Sequence, residues 1–203
     1  MKQFLQCILI SSVLLVVSYG ANASVITNSD VSLITVTTPE AWTAENTESL
    51  LDGVTGQRQG TRFVGFRNTG DELSTSNEFL INIKLNQLFT ITDFSFFNDW
   101  GYHLKQQVMD MSVTFSNGGS LISTESYTGL AMYNFEEITL FNGKDIKGVS
   151  NIKVSITKLD NINFEIRELL FTATPESNIT NVSAPASSLL MLIMMGLLFR
   201  NRK

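Results

Sequence analysis

The fold of this chain is decided by one stretch in which apolar and polar residues alternate. It reads Phe79-Leu80-Ile81-Asn82-Ile83-Lys84-Leu85. A period of two residues places the odd-numbered side chains on one face and the others on the opposite face, which is typical of a half-buried β-strand. The stretch therefore predicts a strand with one face in the core, followed by a short turn and a second strand at Thr90–Phe97.

The same alternation recurs along most of the chain, separated by turn-forming pairs such as Asn142-Gly143. Further predicted strands are Leu33–Thr38, Arg62–Arg67, Met109–Phe115, Leu121–Tyr127, Phe135–Phe141, Asn151–Lys158 and Glu165–Thr172. Only Thr43–Leu51 has a helical pattern. Short strands at this spacing predict an all-β sandwich.

Both ends of the chain differ in composition from this central part. At the start, Lys2, an apolar run from Phe4 to Val17 and Ala21-Asn22-Ala23 are typical of a signal peptide at 1–23. The predicted domain is 24–173, and a polar linker at 174–188 leads to an apolar segment with a basic end at 189–203. The apolar run, Leu189–Phe199, is shorter than the roughly 20 residues of a lasting membrane span.

The order of small residues, apolar run and basic end resembles the PEP-CTERM sorting signal of Gram-negative bacteria. Its Pro-containing motif corresponds here to Val182, Ser183, Ala184, Pro185 and Ala186, a variant of the usual Val-Pro-Glu-Pro. The resemblance implies transient insertion in the inner membrane, cleavage by an exosortase-type enzyme, and release to the cell surface or extracellular matrix. Arg200, Arg202 and Lys203 would stay on the cytoplasmic side.

Charge and residue types exclude several functions. Between Ser24 and Ser183 there are ten basic and 19 acidic residues, a net charge of −9, so nucleic acid is not an expected partner. The only cysteine lies in the signal peptide and the chain has a single histidine, with no Gly-x-Ser-x-Gly motif. Glu136-Glu137 would point to opposite faces of a strand and could not flank one glycosidic bond. We therefore expect a protein that is not an enzyme.

Three local patterns in this order resemble discoidin domains, also called galactose-binding-like domains. They are Ser49–Thr55 with its Asp-Gly pair, Glu78–Asp99, and the last strand Ile166–Phe171. The tryptophan that usually follows the Asp-Gly loop is missing. The resemblance covers about Ser24 to Ala173 and implies a jelly-roll β-sandwich of about eight strands.

In that family, calcium often ties the Asp-Gly loop to a glutamate of the final strand. The resemblance places Asp52 and Glu168 at these positions, and Leu50, Thr55 and Thr61 could add carbonyl or hydroxyl oxygens. Two other interpretations remain open. Asp-Gly is a common turn, and Glu168 could instead pair with Arg167 or Arg62.

A sugar-binding site needs aromatic faces and planar polar groups in one loop. Asn98, Asp99, Trp100, Tyr102 and His103 form the densest such cluster. The alternative is that Trp100 and Tyr102 cap the open end of the sandwich. We expect an exported, non-catalytic protein that binds a polysaccharide or other glycan through this loop. The alternative function is a structural or adhesive matrix component without a specific small ligand.

Overall fold

The computed structural model describes residues 22–55, 64–68, 78–98, 108–130, 137–158 and 163–176. These residues form ten strands and two 3-10 turns, at Asn28–Asp30 and Thr47–Leu51. The strands are β1 Ser24–Val25, β2 Val31–Thr37, β3 Trp42–Glu45, β4 Val64–Asn68, β5 Phe79–Asn98, β6 Asp110–Asn117, β7 Ser120–Tyr127, β8 Glu137–Phe141, β9 Ile146–Lys158 and β10 Phe164–Pro175. All pairings between them are antiparallel.

The strands form two layers, and β5 belongs to both. Its first half lies between β2 and β9, and this layer continues through β6 to β7. Its second half lies between β10 and β8, and that layer continues through β4 to β3. The chain is thus an antiparallel jelly-roll β-sandwich, which confirms the predicted fold class. Of the nine strands named from the sequence, two form the single strand β5, and the two-residue β1 and the four-residue β3 were not predicted, which gives ten.

The alternation in Phe79–Leu85 has the predicted effect. Phe79, Ile81, Ile83 and Leu85 are buried, whereas Lys84 is exposed. The turn predicted after Leu85 is wrong, because β5 continues as one strand of 20 residues with an irregularity in its pairing to β9 between Lys84 and Phe89. The polar groups there find partners in the fold: Asn86 Nδ2 donates to the Ser29 carbonyl at 2.9 Å, and the Leu88 carbonyl accepts from Glu176 N at 2.9 Å.

The helical interpretation of Thr43–Leu51 is also wrong. Trp42–Glu45 pairs with β4 as a strand, and only Thr47–Leu51 forms a 3-10 turn. Asn46 separates the two elements and has a left-handed backbone, with φ of 57°. An asparagine tolerates this conformation better than most residues, and the conformation stops the strand.

The core between the layers is built around two groups of aromatic rings. In the first, Phe66 and Phe164 stack on neighbouring strands at 4.3 Å between ring centroids, and Phe79 of the other layer contacts both edge-on. In the second, Phe94 and Phe171 stack at 4.2 Å. Phe115 of β6 contacts Phe141 and Phe171 across the core. Edge-to-face contacts of this kind favour one packing arrangement of the two layers.

The ends of the chain lie mostly outside the described residues. β10 continues to Pro175, two residues into the predicted linker, and Glu176 Oε1 accepts hydrogen bonds from Thr90 Oγ1 and Gly148 N. The predicted signal peptide, except its last two residues, and the predicted sorting segment from 177 onward are not among the described residues. Within the part of the chain that is described, no helix has the length and apolar character needed to cross a membrane.

Candidate functional site

The Asp52-Gly53 turn follows directly from the 3-10 turn Thr47–Leu51. Leu50 and Leu51 are fully buried, which fixes the turn against the core. Asp52 Oδ1 accepts a hydrogen bond from Val54 N at 2.8 Å, and Gly53 adopts a φ of 76°, which favours glycine. The chain therefore reverses here so that the amide of Gly53 points towards β10.

Glu168 of β10 receives that amide. Its Oε1 accepts a hydrogen bond from Gly53 N at 3.1 Å, and the side chain is fully buried. Its second oxygen, Oε2, is buried and has no hydrogen-bond partner among the described residues. Burial raises the pKa of Glu168 to about 8; the hydrogen bond from Gly53 opposes this shift, and the neighbouring charge of Asp52 adds to it.

The open interpretations of this pair can now be compared. No ion pair joins Glu168 to a basic residue within the described ranges. Arg167 is its chain neighbour in β10, where the pairing with β5 is irregular between Ile166 and Glu168. Arg62 is outside the described residues. The structure therefore brings Glu168 to the Asp-Gly turn.

This arrangement suits a hard cation. A buried carboxylate oxygen without a partner costs free energy, and a calcium ion accepts such oxygens as ligands. Leu50 and Thr55 lie on either side of the Asp-Gly turn, whereas Thr61 is outside the described residues. Across the described ranges, no group of three or more acidic, histidine or cysteine side chains could hold a metal. Backbone carbonyls and hydroxyls would therefore have to complete the coordination of an ion.

Asn98, predicted as a sugar ligand, is a buried residue at the end of β5. Its side chain is 2% exposed. Oδ1 accepts from Val108 N at 2.8 Å, and Nδ2 donates to the carbonyls of Val108 at 2.9 Å and Leu130 at 3.4 Å. The amide group thus pairs with Val108 as a backbone peptide would, and it joins the described residues on either side of positions 99–107.

The other predicted site residues fall outside what the structure describes. Asp99, Trp100, Tyr102 and His103 are in that group, as are all five residues of the sorting motif. The other tryptophan, Trp42, is a core residue, 7% exposed and in edge-on contact with Phe79. Of the predicted glycan-binding residues, the structure describes only Asn98.

Sequence reasoning missed two lysines, Lys84 and Lys153, that lie on the outer face of the first layer. They belong to neighbouring strands, β5 and β9, and both are exposed. The signal was present in the alternating pattern, because each lysine occupies a polar position between two buried residues. The register that places β5 beside β9, and so the two lysines near each other, could not be predicted from the sequence.

The fold is similar to that of several solved carbohydrate-binding modules. A histidine mutant of the lectin-binding domain of lectinolysin in complex with Lewis b has a TM-score of 0.52 and 12% identity, covering 73% of this chain and 98% of that chain. The module CBM32-3 from a family 31 glycoside hydrolase of Clostridium perfringens has a TM-score of 0.52 and 15% identity, covering 74% and 95%. A fucose-binding module of Streptococcus pneumoniae has a TM-score of 0.51 and 13% identity, covering 74% and 97%.

No family model and no curated protein sequence matches the chain. The likeness to the solved structures extends over nearly the whole of each module at very low identity. It therefore establishes the fold: the described residues form the same type of β-sandwich as these discoidin-like modules.

Proposed function

We propose that this chain is a non-catalytic, exported carbohydrate-binding module. The observation that carries the proposal is the match of almost the complete sandwich to a lectinolysin domain in complex with Lewis b and to a fucose-binding module. A shared fold does not by itself transfer a ligand. The loop composition adds independent support, because it combines two aromatic residues with an acid and the only histidine in the chain.

The proposed binding loop is 99–107, with Asp99, Trp100, Tyr102 and His103 as the contacting residues. Asn98 supports this position because its amide ties the first residue of the connection to Val108 at the other end. A loop whose two ends are fixed loses less conformational entropy when it binds a ligand. Asn98 thus has a positioning role, and the contacts with sugar would come from the residues after it.

We also propose a structural calcium ion at the Asp-Gly turn. Asp52 and Glu168 would supply carboxylate oxygens, and Leu50, Thr55 and Thr61 would supply backbone carbonyl or hydroxyl oxygens. The unpartnered Oε2 of Glu168 supports this proposal. The ion would compensate two neighbouring carboxylates and hold the turn to the last strand. It would have no part in any reaction.

The proposed route to the cell surface or matrix depends on both ends of the chain. A signal peptide at 1–23 would direct export, and an exosortase-type enzyme would cut near Ala184-Pro185 while the apolar run is transiently in the inner membrane. The measurement is the intact mass of the protein from its native host. Full-length chain held stably in the inner membrane would contradict the sorting step.

A glycan array with fluorescently labelled protein tests the binding function. We expect selective binding to a small set of glycans, which excess free ligand removes. The array should be run with added calcium and again with a chelator, so that a loss of the ion is not mistaken for a lack of affinity. No binding in either buffer, together with concentration-dependent self-association, would contradict the proposal and support a structural or adhesive matrix role.

A further inference from the structure

The outer face of the first layer forms an open groove of about 440 Å³. The groove crosses strands β2, β5, β9, β6 and β7, so its floor spans about 19 Å at the usual spacing between strands. Leu33 at one end and Leu121 at the other are 54% and 68% exposed. The groove thus has one exposed apolar side chain at each end.

The register of the strands arranges the floor in rows that cross all five strands. One row is Leu33, Lys84, Asn151, Ser116 and Leu121. The next row is Thr35, Asn82, Lys153, Thr114 and Thr124. The two rows therefore combine hydroxyl and amide groups with two ammonium groups, and the first row ends in an exposed leucine on each side.

Lys84 and Lys153 are diagonal neighbours in the centre of this floor. Asn151 is opposite Lys84 in the register, and Lys153 is two residues further along β9. Side chains in this relation are about 7–8 Å apart at their base, close enough for two ammonium groups to act on one ligand. Like charges at this separation repel each other, and an anion between them would remove the repulsion.

Nothing on the floor neutralises these charges. Of the described residues that line the groove, none is acidic. Across the described ranges, no carboxylate lies within 4.0 Å of either lysine, and no hydrogen bond joins the side chain of Asn82 to another residue. By contrast, Arg67 and Lys144 pair with Glu165 and Glu125. The groove thus presents unneutralised positive charge on a chain whose net charge is −5.

We propose that this groove binds an acidic polysaccharide, with uronate carboxylates between Lys84 and Lys153. Asn82, Asn151 and Thr114 would exchange hydrogen bonds with sugar hydroxyls, and the exposed leucines would contact apolar ring faces. A nucleic acid is disfavoured because two lysines are few against an acidic surface. The site is separate from the loop at 99–107, and the proposal goes beyond neutral glycan binding there.

Binding of polygalacturonate to the purified protein, measured by titration calorimetry, tests this inference. The matched ligand is the same polymer with its carboxylates methyl-esterified, which we expect to bind much more weakly. The double variant Lys84→Gln/Lys153→Gln should weaken polygalacturonate binding by about tenfold or more, because two favourable charge interactions are lost. Added salt should weaken binding to the unmodified protein for the same reason.

Two further variants serve as controls. Lys84→Arg/Lys153→Arg keeps both charges and should retain binding, and Lys147→Gln removes an exposed charge outside the groove and should leave binding unchanged. All variants should keep the melting temperature of the parent protein, because these side chains are exposed. Equal binding of the esterified polymer, or equal binding by the glutamine variant, would overturn the inference. So would equally strong, lysine-dependent binding of polyglutamate, because the site would then recognise charge alone.

The loop variant Trp100→Ala separates this inference from the proposed function. It should leave polygalacturonate binding intact while reducing binding of any glycan found on the array. A loss of both binding activities in the loop variant would contradict a separate groove site. A silent array with retained polygalacturonate binding would contradict the loop site alone.

Discussion

Glu168 and Gly53 are 115 residues apart in the sequence, and a hydrogen bond of 3.1 Å joins the carboxylate of one to the amide of the other. The bond connects the Asp-Gly turn to the last strand of the sandwich. It satisfies only one of the two carboxylate oxygens, since no described residue bonds Oε2. Glu168 is buried beside Asp52 with only one of its two carboxylate oxygens bonded. The stability of the contact between the turn and the last strand should therefore depend on cations and on pH.

Calcium should raise the thermal stability of the protein. At a free concentration one hundredfold above Kd, an ion that binds only the folded state adds about 2.7 kcal/mol. For a domain of this size, the melting temperature should rise by roughly 5–10 °C relative to a chelator. Asp52→Asn removes a ligand charge while its amide oxygen can still accept from Val54 N, so it should abolish the difference. Asp145→Asn, at an exposed position, is the control and should keep it.

Without calcium, stability should fall as the pH rises. The pKa of Glu168 is about 8 in the folded protein and 4.5 in its ordinary state, so between these values the folded protein holds a proton that the unfolded chain releases. The free energy of unfolding should therefore decrease over this range by a few kcal/mol. Glu168→Gln keeps an acceptor for Gly53 N but cannot ionise. Urea unfolding in chelator at pH 5.5 and 8.5 compares the two proteins.

If the free energy of unfolding depends on pH equally in the parent protein and in Glu168→Gln, groups other than Glu168 cause the loss of stability at high pH. Calcium should reduce the difference between the two pH values in the parent protein, since the ion favours the ionised carboxylate. The glutamine variant should show no such response.

Asn98→Ala should destabilise the protein by about 2–4 kcal/mol in urea unfolding. The substitution removes three hydrogen bonds and leaves the amide and carbonyl of Val108 without their side-chain partner in a buried position. Asn98→Asp should also be destabilising, because a carboxylate cannot donate to the two carbonyls. Asn82→Ala is the matched control at a partly exposed position and should change stability by less than about 0.5 kcal/mol.

The two tryptophans should respond differently to truncation. Trp42→Ala opens a gap beside Phe79 and should cost about 3–5 kcal/mol of stability. Trp100→Ala should weaken glycan binding and cost little stability if the loop binds sugar. Thermal melting and glycan binding measured on both variants distinguish these roles. A loss of stability in Trp100→Ala as large as that in Trp42→Ala, without a specific loss of binding, would assign Trp100 to the core.

The strand pattern was predictable because alternation records burial directly. Ile81 and Ile83 are buried where the period of two places them, and the same holds for Val113 and Phe115 in β6. The turn after Leu85 was not predictable from the same signal, because polar residues at 86 and 87 are typical of a loop. The partners of Asn86 and Leu88 in this part of β5 are Ser29 and Glu176, which are distant in the sequence.

In the candidate site, too, features set by neighbouring residues were predictable, and features set by contacts distant in the sequence were not. An Asp-Gly turn can be recognised locally, and its φ of 76° at Gly53 fits that pattern. The loop context predicted that Asn98 is exposed and binds sugar. In the structure it is buried, and its side chain bonds to backbone groups 10 and 32 residues away. Lys84 and Lys153 became a pair only through the register of β5 and β9. Unless the strand pairing is known, the sequence does not show whether an asparagine side chain binds a ligand or bonds to the protein's own backbone.

The continuity of β5 also determines how the protein unfolds. One 20-residue strand takes part in both layers, so neither layer can melt while the other keeps all of its pairing. We expect unfolding as a single cooperative unit with no half-folded sandwich. The partners of β5 come from both sides of it in the sequence, so the strand cannot complete its pairing until β10 has been made. Closure of the sandwich is therefore a late and slow event in folding.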